Sequence, residues 1–185
     1  MRSGLEKNFL KVAALAGIVT LLIQFTELVF IFSWLGTASA PRSGVVSGMG
    51  ALTYAVFILG FWRIGGLFSN YLMRRASILL IAVHLALYGS SLLISVAPHL
   101  NFSERGVLGV LILGAAGITF GISVLRISSR LGSLATAVGT LEIFADAMLI
   151  LSSLVPPVLL IFIIVNVPLY LIASLLLWRA AGHVH

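Results

Sequence analysis

The stretch ATAVGTLEIFADAMLILSS, residues 135–153, decides the class of fold. It holds no Lys, Arg or Pro, and it is close to the roughly 20 residues that a helix needs to cross a bilayer core. At helical spacing Ala135, Gly139, Glu142, Asp146, Leu149 and Ser153 follow at steps of 4, 3, 4, 3 and 4, so they share one face. Leu141, Phe144, Met148 and Leu151 fill the other. One side is small and acidic; the other is bulky and lipid-like. A charged group near the bilayer centre costs about 2.5–3.5 kcal/mol on the insertion scale. A membrane helix that keeps two carboxylates has to offset that cost.

Runs of similar length fill the rest of the chain. The apolar segments fall at about 12–35, 45–62, 77–97, 106–125, 134–154 and 156–178. The chain of 185 residues is 61% hydrophobic and 9% charged, with a mean hydropathy of +1.20; a soluble domain carries about 25% charged residues. These features predict an all-α fold: a polytopic transmembrane bundle of six helices, forming a single integral membrane domain over 1–185. The loops are too short to hold an independent domain. The expected setting is the lipid bilayer of the cell membrane, crossed several times.

Charge placement predicts the orientation. With six spans, the amino terminus, the second and fourth loops and the tail share one side. That side collects Arg2, Lys7, Lys11, Arg63, Arg74, Arg75, Arg126, Arg130 and Arg179, against Arg42 and Arg105 on the other. Basic loops stay cytoplasmic, so both termini are expected in the cytoplasm. This asymmetry also accounts for the basic composition without nucleic acid as a partner. Trp34, Trp62 and Trp178 fall at predicted span ends, where amphipathic rings favour the interface. Ala38-Ser39-Ala40 imitates a signal-peptide cleavage site. The run before it is too long and contains Gln24 and Glu27, so it is read as a retained first span. Cys is absent, which excludes disulfides, thiolate metal sites and cysteine nucleophiles.

The first span repeats the pattern of residues 135–153. Ala13, Gly17, Thr20, Gln24 and Glu27 lie at steps of 4, 3, 4 and 3. Ser77, His84, Tyr88, Ser91 and Ser95 make a similar stripe in the third. At about 1.5 Å per residue, Glu142 and Asp146 straddle the middle of the fifth span, with Glu27, His84, Tyr54, Thr119 and Asn166 near the same level. Converging faces would give a polar layer at mid-bilayer, where transporters commonly place binding sites. In the sixth span Pro168 frees the carbonyl of Ile164 beside Asn166, a candidate cation or water ligand.

The expected binding or proton-coupling set is Glu27, Glu142, Asp146, His84, Tyr54 and Asn166. The expected function is that of a small membrane transporter or channel-like protein whose acidic midplane takes protons, a cation or a small polar solute. One alternative is a non-catalytic membrane subunit of a larger complex. Another is an intramembrane metal-dependent enzyme using Glu27, His84, Glu142 and Asp146, although no E-x-x-H or H-E-x-x-H motif supports it. No motif names a cofactor. Gly117 and Gly121 form a GxxxG pair, expected to pack helices within the chain or between copies or complex partners.

Overall fold

The computed structural model describes residues 2–33, 44–96, 103–155 and 157–184, with side chains described for 4–26, 46, 48–87, 107–155 and 157–184. Among the described residues there are helices and turns and no strand. The helices are α1 (Arg2–Ser33), α2 (Gly44–Leu67), α3 (Tyr71–Val96), α4 (Ser103–Leu125), the single turn α5 (Ser128–Leu131), α6 (Ser133–Ser152) and α7 (Val158–Ala181). Five of them, α1, α2, α4, α6 and α7, are long and apolar enough to cross a membrane, with mean hydropathies from 1.4 to 2.6 over the qualifying windows. The remaining long helix, α3, carries Arg74 and Arg75 in its opening turns, and its side chains are described only as far as Leu87.

Helix ends differ from the sequence expectation at the basic end. The lead before residue 12 is helical from Arg2, held to α2 by Arg63 Nη2 donating to Glu6 Oε1 at 2.6 Å. The loop expected over 63–76 is mostly helix: α2 runs through Gly65 and Gly66 to Leu67, and α3 begins at Tyr71. Asn70 makes this short turn work. Its Oδ1 accepts the Met73 amide at 3.1 Å, its Nδ2 donates to the Ser123 carbonyl of α4 at 2.7 Å, and its amide closes on the Gly65 carbonyl. Side-chain capping of this kind satisfies amides that a helix start leaves open. Gly132 joins α5 to α6 at φ +74°, a conformation that favours glycine.

The six long helices pack as a closed ring in chain order: α1 on α2, α2 on α3, α3 on α4, α4 on α6, α6 on α7, and α7 back on α1. Large apolar side chains point outward all round it, among them Leu52, Leu108, Leu154 and Ile164. This is the arrangement lipid demands, because hydrocarbon chains solvate such faces and water does not. Inside, Leu10, Phe61, Phe120, Val138 and Leu177 are nearly or fully buried. The α1–α7 seam is antiparallel: Lys11 Nζ sits 5.2 Å from the Trp178 ring, Gly17 packs on Ser174, and Gln24 Nε2 donates to Tyr170 Oη at 3.0 Å. Amino and carboxyl termini therefore lie at one end of the bundle. That end also carries Arg74 stacked on Trp62 (4.8 Å) and Arg75 on Tyr71 (4.2 Å), cation–ring pairs suited to a polar boundary.

α4 and α6 approach closely, backbone on backbone. A Cβ at Gly121 would stand 2.8 Å from the Gly139 carbonyl oxygen, and one at Gly139 would stand 2.7 Å from that of Gly121. Gly117 and Gly121 are both buried by α6 of the same chain. Their close packing is thus internal, and they are not at a surface where a partner could use them. Gly48 has open space around it. Gly121→Ile should destabilise the protein by about 1–3 kcal/mol through overpacking, while Gly48→Ala leaves stability unchanged or slightly raised; thermal unfolding of the purified protein in detergent compares the two.

Candidate functional site

Between the helices of the ring lies a partly open cavity of about 270 Å³. Every long helix contributes to its wall: α1 through Leu21 and Gln24, α2 through Tyr54 and Phe57, α3 through Leu80 and His84, α4 through Leu113 and Phe120, and α6 and α7 as follows. From α6 come Glu142 and Asp146, one turn apart; from α7 come Asn166 and Tyr170, also one turn apart. Five of the six residues expected from the sequence, Tyr54, His84, Glu142, Asp146 and Asn166, therefore line one cavity. The sixth, Glu27, belongs to α1, and its side chain lies outside the described residues.

Each polar side chain is placed by its helix face. Asp146 is 7% exposed. Its carboxylate packs against Gly117, in space that any Cβ at position 117 would occupy. The missing side chain on α4 is what makes room for the acid. Glu142 lies one turn before Asp146, half-buried on the same face. Neither carboxylate accepts a hydrogen bond from a described residue. Across the cavity the His84 ring stacks on Tyr54, with centroids 3.9 Å apart and planes at 24°. Asn166 Nδ2 donates to the Phe162 carbonyl within its own helix at 2.8 Å.

The floor is aromatic. Phe57 stacks on Tyr170 at 5.4 Å and meets Phe61 edge-on at 5.5 Å; Phe61 in turn meets Phe120 edge-on at 5.1 Å. No family model, curated protein or solved structure matches this chain.

Two expectations about that site need correcting. Thr119 faces away from the cavity: its Oγ1 donates back to the Ala115 carbonyl at 2.8 Å, as a hydroxyl on an apolar helix commonly does. Pro168 and Ile164 are both exposed on the outer face of α7, and Ile164 is 69% exposed. The carbonyl that Pro168 releases is therefore on the lipid side of the helix and does not serve the cavity. Among the described residues, no three His, Asp or Glu side chains come together closely enough to hold a metal ion.

Sequence reasoning omitted Gln24 and Tyr170 from the set. Gln24 was on the polar stripe of the first span. Tyr170 had a signal too, since Asn166, Tyr170 and Ser174 recur at steps of four along α7. The aromatic floor had no comparable signal, because Phe residues face lipid as readily as they face a cavity.

The contact of Asp146 with Gly117 has a measurable consequence. Gly117→Ala should destabilise the protein by about 1–3 kcal/mol, and Asp146→Ala should remove most of that penalty by vacating the space. A double-mutant cycle on detergent-solubilised protein checks it; coupling of about 0.5–3 kcal/mol is expected for two groups in contact.

Proposed function

We propose that this protein is a small multi-pass membrane transporter that carries a cation or small polar solute, or protons, through the cavity holding Glu142 and Asp146. The observation that carries the proposal is the convergence of polar side chains from five helices, Gln24, Tyr54, His84, Glu142, Asp146, Asn166 and Tyr170, on one cavity inside an otherwise apolar ring. A chance scatter of polar residues would not share a wall. Ionisable groups held inside a membrane domain are costly, and they mark ion or substrate paths more often than structural contacts. A closed ring of helices around a polar chamber also has the general form of a solute path.

In the same proposal all six long helices span the bilayer. Glu142 and Asp146, mid-way along α6, then lie near the centre of the membrane. The end carrying Lys11, Arg63, Arg74, Arg75, Arg130 and Arg179 faces the cytoplasm, with both termini. Trp62 and Trp178 mark the interface on that side, where rings and cations favour headgroups.

The experiment is flux into proteoliposomes, with a pH dye for protons and isotope uptake for cations. Glu142→Gln and Asp146→Asn should each cut flux at least tenfold while the protein remains monodisperse in detergent. Wild-type flux in the double variant would refute the proposal. Orientation is checked separately, since the chain has no cysteine to interfere. In Ser129→Cys, a membrane-impermeant maleimide should react only after cells are opened. Labelling in intact cells would reverse the assigned topology.

A further inference from the structure

Resting on that transport proposal, we infer that the cavity is built for an organic monocation: a small amine with an apolar, preferably aromatic, body. The first observation is the charge of the wall. Glu142 and Asp146 line it, and no Lys or Arg does so among the described residues. The second is the condition of Asp146. It is 7% exposed, it lines the cavity, and neither of its oxygens accepts a hydrogen bond from a described residue. A carboxylate that opens into the cavity takes its hydrogen-bond donors from whatever occupies that space.

The third observation separates an organic cation from an inorganic one. Five Phe and two Tyr side chains line the cavity, Phe57, Phe61, Phe120 and Tyr170 among them in the floor. A hard cation such as sodium or magnesium takes several oxygen ligands at close range, whereas most of this wall is carbon and its side-chain oxygens are spread over four helices, on Gln24, Tyr54, Glu142, Asp146, Asn166 and Tyr170. Aromatic faces attract an ammonium group through their quadrupole and also solvate a hydrocarbon body. The volume of about 270 Å³ lies just below the ~300 Å³ at which sites for drug-sized ligands begin, so the ligand is small.

Charge balance sets the mode of exchange. Two carboxylates one turn apart in an apolar bundle repel when both are ionised. A site holding one proton and one ammonium ion is neutral; so is a site holding two protons. Binding of the amine therefore releases one proton, and protons compete with the amine. Among the described residues, the titratable groups that line the cavity with the pair are His84 on α3, Tyr54 on α2 and Tyr170 on α7. α4, packed on α6, faces it with Gly114 and Gly117. Arg130 lies on α5, beyond the break at Gly132 and twelve residues before Glu142. The side chain of Glu27 is outside the described residues.

The test is calorimetric titration of the purified wild-type protein with phenethylamine, beside 2-phenylethanol as the neutral analogue, phenylacetate as the anion, and sodium chloride. Phenethylamine alone should bind with measurable heat, and its affinity should fall about tenfold for each unit that pH is lowered across the titration of the pair. Glu142→Gln should weaken it at least tenfold. Phe57→Leu, which leaves both acids in place, should weaken it severalfold and leave the pH dependence unchanged. Equal binding of 2-phenylethanol, or amine binding indifferent to pH and to Glu142→Gln, overturns the inference. Proton or sodium flux that depends on Glu142, found without amine binding, overturns it too but leaves the transport proposal standing. Absence of both flux and binding removes the two together.

Discussion

Asp146 can stand inside an apolar bundle because α4 has no side chain opposite it. A carboxylate in hydrocarbon is costly, and on a helix packed against bulky neighbours it would be forced toward lipid. At Gly117 the wall of α4 is bare backbone, and the acid occupies the space a methyl group would fill. Gly114 and Gly121 extend that bare ridge by a turn on either side, and Gly139 of α6 answers it. The close α4–α6 contact and the buried carboxylate of Asp146 are therefore one piece of construction. Their coupling fixes which way α6 is turned, and so which residues the cavity receives.

The rest of the ring follows from this orientation. With Asp146 and Glu142 turned inward, Phe144 and Leu151 are turned outward, each more than a third exposed. α7 closes on the other side of α6 and brings Asn166 and Tyr170 to the same chamber. Tyr170 is then placed to take the Gln24 amide from α1. A hydrogen bond between two neutral groups adds modest stability, on the order of 1 kcal/mol. Left unpaired in this setting, the same groups would cost more, so the bond also specifies the helix register.

Much of this was legible before any coordinates. Hydropathy gave the apolar runs, and the steps of three and four along residues 135–153 gave the acidic face, because a helix in lipid must separate polar from apolar sides. Placing polar residues at equal depths brought together Tyr54, His84, Glu142, Asp146 and Asn166. Depth alone misled for Thr119, which is level with the others but turned away; a hydroxyl can satisfy itself on its own helix and needs no cavity. The helix ends at Arg2 and Leu67 were missed for a related reason. Hydropathy registers where the apolar run stops, whereas a helix continues past it as far as charged contacts such as Glu6 with Arg63 support it. Gly117 drew notice as half of a GxxxG pair, yet that it seats a carboxylate depends on the partner helix, which no single-chain pattern contains.

The closed ring has a consequence for how it is held together. Around the ring, every neighbouring pair of long helices except α1–α7 is also consecutive along the chain, so each of those pairs is joined by a short connection. Only α1 is covered by a helix distant in sequence: α7 packs on Gly17, and Tyr170 takes the Gln24 amide. The α1–α7 seam is thus the one joint of the ring without a short connection to hold its two sides together. Its closure therefore rests on side-chain contacts: the Gln24–Tyr170 hydrogen bond, Lys11 on the Trp178 ring, and Gly17 against Ser174.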